Sequence, residues 1–141
     1  MRTVAIIQAR MGSLRLPGKV LMDLCGKPVL WHIVKRLKQC SNLNDIVVAT
    51  STTEADTTIV KFCKRYKIKF FRGSESDVLR RYIDAADNFK ADYIVRITGD
   101  APLIEPREID RFIKVMTGKG ADYFVEDPDV FSIHEGFSVV S

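Results

Sequence analysis

The chain lacks most of what would mark it for a bilayer, an oxidising compartment or a metal cage. Nowhere does an apolar run approach the roughly 18 residues that span a membrane, and the N-terminal apolar run ends too early to be the core of a signal peptide. Cysteine is scarce. Cys25, Cys40 and Cys63 lie far apart, form no C-x-x-C pair and are odd in number, which argues against a disulfide framework or a thiolate zinc site and for reduced thiols. These absences predict a cytoplasmic protein. Histidine is nearly missing too: His32 falls on the polar side of a predicted helix and His134 in an irregular tail. Both are expected to be solvated, and neither offers an evident general base.

No internal repeat, low-complexity run or linker divides the sequence. At 141 residues and 46% apolar content it fits one compact domain, residues 1–141, with a substantial core. Acidic residues are rare at one end: residues 1–40 carry eight Lys/Arg against one acid, whereas residues 121–141 carry five acids and no Lys/Arg. The basic start favours an anionic partner. No basic stretch interleaved with aromatics and no helical reader of nucleic acid accompanies it, so a small phosphorylated ligand explains the charge with fewer assumptions than nucleic acid.

What is present alternates. Val4–Gln8, Asp45–Thr50, Ile68–Phe71 and Tyr93–Ile97 are short β-branched or apolar runs bounded by turn or helix signals, as strands covered on both faces would be. Between them run segments of helical period. Pro28 precedes Leu30, Ile33, Val34 and Leu37, which share a face, and Ser51 with Glu54 makes a capping box ahead of Ala55, Ile59, Phe62, Cys63 and Tyr66. Ser74 and Asp77 open a third segment with Val78, Leu79, Tyr82, Ile83, Ala86 and Phe89 as its buried stripe. Pro106 starts a fourth with Ile109, Phe112, Ile113 and Met116 inward, and a further strand is expected near Tyr123. The β-α alternation predicts a three-layer α/β/α sandwich with a mainly parallel sheet.

Ligands in such sheets collect beyond the carboxyl ends of the strands, and residues 9–19 follow the first strand directly. Gly12 and Gly18 there allow positive φ or close approach, leaving amides free to face phosphate oxygens, while Arg10, Arg15 and Lys19 add positive charge. A Walker A loop has four residues between its first glycine and its G-K-[ST] end; here five separate Gly12 from Gly18, Pro17 intrudes and Val20 stands at the hydroxyl position. A G-x-G-x-x-G fingerprint is absent as well.

The stretch "QARMGSLRLPGKVL" resembles the N-terminal signature of the sugar-acid cytidylyltransferases of the acylneuraminate and spore-coat polysaccharide type. "GSESDVLRRY" at 73–82 and "YIVRITGDAPLIEP" at 93–106 are similar to that family's internal motifs, in the same order. The resemblance implies a GT-A-like nucleotidyltransferase fold and a site in which Ala9, Arg10, Gly12, Ser13, Arg15 and Lys19 surround the triphosphate of CTP. It further implies that Asp77 and Arg81 line the nucleotide site, that Thr98 and Gly99 lie near the nucleoside, and that Asp100 binds magnesium. Asp100 suits that role on its own terms, because it follows an apolar strand beside a glycine, and Mg2+ often takes only one or two carboxylates.

The implied reaction transfers CMP from CTP to a sugar acid or related sugar with release of pyrophosphate. Arg10, Arg15, Lys19 and Asp100 act on the phosphates, and the protein supplies no nucleophile. Family members continue well beyond this chain's last residue, with later residues completing the sugar pocket, dimer contacts and a second metal-binding aspartate. The end of the chain departs from the family's Pro-x-Gly turn: it keeps Gly136 but has Ile133, His134 and Val140 around it. A shortened nucleotide-binding or interaction module is therefore an alternative, and an exposed apolar surface at the shortened end would promote a homodimer. A GT-A glycosyltransferase is a weaker one, since no D-x-D pair follows a suitable strand. Two local expectations complete the reading. Asp77, Arg81 and Asp84 have the spacing of a solvated helix network, and Arg96, inside a strand, is expected in an ion pair.

Overall fold

The computed structural model describes residues 1–120, 122–124 and 137–141. Val4, Ala5, Ile6 and Ile7 are all fully buried in the first strand, β1 (Thr3–Gln8), so it has apolar layers on both faces. A small antiparallel hairpin follows, β2 (Asp23–Leu24) with β3 (Lys27–Pro28). The sheet then resumes with β4 (Asp45–Ser51), β5 (Lys69–Gly73) and β6 (Tyr93–Thr98). β1 runs parallel between β4, where Ile6 faces Val47, and β6, where Ile6 faces Arg96. β5 extends the sheet parallel to β4. The far edge is antiparallel: β8 (Phe137–Val140) pairs with β6, and β7 (Tyr123–Phe124) pairs with β8. The strand order is β5-β4-β1-β6-β8-β7.

Helices α1 (Val29–Leu37), α2 (Thr57–Arg65) and α4 (Pro106–Lys119) contribute to one large core with Ala5, Ile7, Val48, Val95 and Ile97 of the sheet. On the opposite face α3 (Val78–Phe89) packs Tyr82, Ala85 and Ala86 against Val4, Ile6, Val47 and Ala49. The expected three-layer arrangement with a mainly parallel sheet is the one observed. In α1 the four buried residues are Leu30, Ile33, Val34 and Leu37, and in α4 Ile109, Phe112, Ile113 and Met116 turn inward behind Pro106. Among the described residues no helix is long and apolar enough to cross a membrane.

Several local expectations are corrected. Ser51 does not cap α2; it ends β4, and Asp56 occupies the N-cap position. The stripe of α3 is rotated. Leu79 is 71% exposed and Ile83 43%, while Arg81 and Ala85 are buried. Residues 78, 81, 82, 85, 86 and 89 fit the helical period as well as the expected set does, and the small side chains of Ala85 and Ala86 let the helix close on the sheet with that face inward. Arg80, not Arg81, pairs with Asp84, at 2.8 Å. Among the described residues Arg96 forms no ion pair but lies 5.1 Å over the ring of Tyr82, a cation–π contact that accommodates its charge at the sheet surface. His32 is half-buried, its Nε2 2.7 Å from the carbonyl of Leu24, so it braces the hairpin against α1 rather than facing solvent. The three cysteines are free, with Cys25 exposed and Cys63 buried.

Candidate functional site

The chain leaves β1 for β4 and β5 on one side, then returns to place β6 on the other side of β1. The loops after β1 and β6 consequently diverge and leave a crevice at the carboxyl ends of the strands, where ligands bind in open α/β sheets. A cavity of about 360 Å3 occupies that place. Its walls come from Gln8 at the end of β1, from Arg10, Ser13, Leu14, Arg15, Lys19 and Val20 of the first loop, and from Thr98, Gly99 and Asp100 beyond β6.

Met11 organises the first loop. Its carbonyl accepts from Ser13 N at 3.0 Å and from Gly18 N at 2.9 Å, closing residues 11–18 into a compact turn. Gly18 takes φ +72°, a conformation that suits glycine. The amide of Met11 donates to Asp56 Oδ1 at 2.7 Å, and Leu16 N donates to Ser13 Oγ at 3.3 Å. The expectation of free amides is thereby corrected for Met11, Ser13, Leu16 and Gly18, whose N–H groups already have acceptors within the protein. Gly12 also has no positive φ, and a Cβ there would meet open space. The amides of Arg10, Gly12, Leu14 and Arg15 have no acceptor among the described residues, and the cavity side of the loop adds the cations Arg10, Arg15 and Lys19 and the Ser13 hydroxyl, which accepts from Leu16 and retains its own proton to donate.

The opposite wall is set by Gly99. Its amide donates to Gln8 O at 2.9 Å, and a Cβ on it would lie 2.6 Å from the same oxygen. Only glycine lets the chain turn so tightly over β1 and bring Asp100 across from the loop. There the Asp100 carboxylate accepts a hydrogen bond from Lys19 Nζ. That bond, against the cost of burial and with help from the Lys19 charge and Thr98, holds the Asp100 carboxyl below its ordinary value. Among the described residues lining the cavity, Asp100 alone carries a carboxylate. A hard divalent cation that keeps phosphate and water in its shell needs no more than one or two, so the donor set fits such an ion once Lys19 turns toward a phosphate.

Asp56 is the participant that sequence reading missed. Only 2% exposed, it accepts from Met11 N, from Ser51 N at 3.0 Å and from Ser51 Oγ at 2.5 Å, joining the start of the loop to the end of β4. Burial alone would raise its pKa; the hydrogen bonds from Met11 and Ser51 outweigh burial and keep the carboxyl below its usual range. The available signal was an acid immediately before a helical segment, read only in terms of Ser51 and Glu54. The other expected site residues lie further back. Ala9 is buried under the loop, its amide bonded to Ala49 O at 3.1 Å. Asp77 caps α3 by accepting from Arg80 N at 2.8 Å. Arg81 is fully buried; its Nη1 donates to Ser74 O at 2.5 Å, while Nε and Nη2 have no hydrogen-bond partner among the described residues. Burial lowers the pKa of Arg81, and the nearby Arg10 adds to that effect. Ile133, His134 and Gly136 lie outside the described residues, and Val140 is in β8.

A family model described as cytidylyltransferase matches residues 4–137. The chain is 39% identical to the spore coat polysaccharide biosynthesis protein SpsF of Bacillus subtilis, over 84% of this chain and 51% of that protein. It is 30% identical to a 3-deoxy-manno-octulosonate cytidylyltransferase of Escherichia coli, over 82% of this chain and 46% of the relative. It thus spans about half the length of these curated relatives. Among solved structures, a cytidylyltransferase from Leptospira borgpetersenii superposes with TM-score 0.93 at 30% identity, covering 100% of this chain and 60% of the other. A CMP:2-keto-3-deoxy-manno-octonic acid synthetase complexed with CTP superposes with TM-score 0.75 at 28% identity, covering 86% and 49%.

Proposed function

The chain belongs to the cytidylyltransferase family, and we propose that it carries the nucleotide-binding half of an enzyme that transfers CMP from CTP to a sugar acid or related sugar. The observation that carries this reading is the cavity at the switch point, with Arg10, Arg15 and Lys19 on one wall and Asp100 on the other. A triphosphate brings several negative charges; two planar guanidinium groups and a mobile ammonium match them in kind. In the reaction an acceptor hydroxyl oxygen attacks the α-phosphorus, the bond from that phosphorus to the bridging oxygen breaks, pyrophosphate departs with the electron pair of that bond, and the hydroxyl proton passes to solvent. Arg10 and Arg15 hold the phosphates in line and neutralise charge growing on the leaving group. Lys19 exchanges its Asp100 contact for a phosphate oxygen, and the Ser13 hydroxyl donates beside it. A magnesium ion held by Asp100 would screen and orient the phosphates. Support for a sugar-acid acceptor in surface-polysaccharide synthesis comes from the names of the relatives. Homodimer formation belongs to the same reading, and a sedimentation series showing only monomer would remove it.

Calorimetry with CTP, ATP, GTP and UTP, with and without magnesium, tests the nucleotide half. Metal-dependent binding selective for CTP is expected, with both Arg15→Ala and Asp100→Ala abolishing it; pyrophosphate release on addition of sugar acids then tests transfer. A folded chain that binds no nucleotide would overturn the reading, and binding without turnover by any acceptor would reduce it to a nucleotide-binding module.

A further inference from the structure

The two faces of the sheet are not covered evenly. Side chains alternate along β6, so Val95 and Ile97 are fully buried in the large core while Ile94, Arg96 and Thr98 lie on the opposite face. On that side Ile94 packs with the α3 layer, which rests on Val4, Ile6, Val47 and Ala49 of β1 and β4. The cover stops there. Arg96 and Thr98, toward the carboxyl end of β6, are exposed.

Three observations single out Arg96 on this open face. It adjoins the nucleotide cavity, because Thr98, one pleat further along the same face, is in the cavity wall, as is Gln8, the register partner of Thr98 on β1. Two residues of strand span about 6.6 Å, a gap that one sugar ring with its substituents bridges. Its charge is uncommitted: the residues level with it are Ile6 on β1 and Ser138 on β8, both uncharged, and among the described residues it has no ion pair. Its position is also held. The guanidinium carbon lies 5.1 Å from the centre of the Tyr82 ring, and that ring is 5% exposed with its hydroxyl donating to Ile97 O at 3.3 Å. A ring quadrupole anchors a cation without consuming its N–H donors. The fold by itself asks only for a side chain that suits an exposed strand position, such as threonine.

We propose that Arg96 binds the carboxylate of the acceptor, so that Gln8, Thr98 and Arg96 form an acid-recognising strip beside the bound phosphates. The inference deepens the reading of the nucleotide cavity and rests on it. The chemistry favours a carboxylate over other anions. One guanidinium balances one charge, and its parallel N–H pair matches two carboxylate oxygens, whereas a phosphate monoester brings nearly two charges. The amide of Gln8 and the hydroxyl of Thr98 are neutral and suit hydroxyl groups of the same ligand. Arg96 in this role selects acids against neutral sugars; no bond forms or breaks at it.

The test uses the full chain, isotope-labelled, in NMR titrations with the sugar acid named in a relative, 3-deoxy-manno-octulosonate. Comparison probes are its neutral methyl ester and glucose 6-phosphate. CMP is present throughout, filling the nucleotide site with no pyrophosphate to lose, and CTP binding is measured separately by calorimetry. The acid is expected to shift the amides of Arg96 and Thr98 and to bind more than about tenfold tighter than the ester. Arg96→Met should remove that preference, and Arg96→Lys should keep part of it, because lysine supplies the charge without the planar fork. A melting curve of each variant shows whether the fold is intact. Equal binding of acid and ester, tighter binding of glucose 6-phosphate, a folded Arg96→Met chain that keeps the preference, or no response to the acid from a chain that binds CTP would each overturn the proposal. If Arg96→Met does not fold, Arg96→Gln carries the same comparison. Failure of the nucleotide reading shows differently, as a folded chain that binds no CTP.

Discussion

The first loop is held at its two ends by two aspartates that differ in almost every physical respect. Asp56 grips the start, at Met11, from a buried position, 2% exposed, where three hydrogen-bond donors converge on it. Asp100 grips the end, at Lys19, from a side chain 42% exposed, through one flexible ammonium group. Both carboxyls lie below their ordinary values. For Asp56 fixed hydrogen bonds overcome a strong burial penalty; for Asp100 one mobile partner leads against a weaker one. The first tether is architecture and the second is exchangeable. On the proposed reading, in which the loop positions cations and releases Lys19 to a phosphate, each tether has its part.

Replacing Asp56 should break the comparison most visibly. Asp56→Ala strands the buried amide of Ser51 together with that of Met11, and charged hydrogen bonds of this kind are worth roughly 1.5–3 kcal/mol apiece. A loss of about 3 kcal/mol in urea denaturation is expected, with nucleotide affinity falling as the loop loosens. The effect depends on pH with a definite sign. A carboxyl whose folded pKa is depressed contributes stability that is present above its unfolded value, about 3.9, and lost as pH falls through the folded value. Asp56→Asn should therefore cost less than the alanine at neutral pH and flatten the acid limb below about pH 4. An unchanged acid limb would remove the buried carboxylate from the account.

Gly99→Ala comes next. The added Cβ would lie 2.6 Å from Gln8 O, a backbone atom that cannot rotate away. Overpacking of this sort costs roughly 1–3 kcal/mol, and here it should also displace Asp100 from Lys19, so calorimetry should show weaker nucleotide binding along with the lower denaturation midpoint. A smaller effect is expected at Arg81. Among the described residues its Nε and Nη2 have no hydrogen-bond partner in a fully buried position, so exchanging the charge for an apolar side chain removes a desolvation penalty along with the bond to Ser74. Arg81→Met should change stability by no more than about 1 kcal/mol. A loss of several kcal/mol would mean that the guanidinium is well compensated in the fold.

These side chains also mark what the sequence made legible. The strands and the inward faces of α1 and α4 follow from local periodicity, because each packs a continuous apolar stripe onto a sheet covered on both sides. The family signature placed Arg10, Ser13, Arg15, Lys19, Thr98, Gly99 and Asp100, and all seven line one cavity. Other features were set by tertiary contact and left weaker local traces. Arg81 is buried because α3 closes on the sheet through Ala85 and Ala86, against the hydropathy of Leu79 and Ile83. Asp56 meets Met11 across 45 residues, and the β8 strand gains its identity only by pairing with β6. Such long-range pairings cannot be read from a window of neighbouring residues.

The smallest expected change in stability belongs to the second tether. An exposed ion pair contributes 0.2–1 kcal/mol in typical cases, so about 0.5 kcal/mol or less should be lost in Asp100→Asn. The isosteric amide can still accept from Lys19, which preserves the loop in the free protein. What it lacks is the negative charge, and a divalent cation held by one protein carboxylate depends on that charge. The variant should accordingly denature almost as the parent does while losing the magnesium dependence of nucleotide binding. Asp56→Asn should behave the other way, with lower stability and a metal dependence still measurable. Should Asp100→Asn instead destabilise the chain as much as the change at Asp56, the two tethers would be alike, and Lys19 would have no freedom to leave one anion for another.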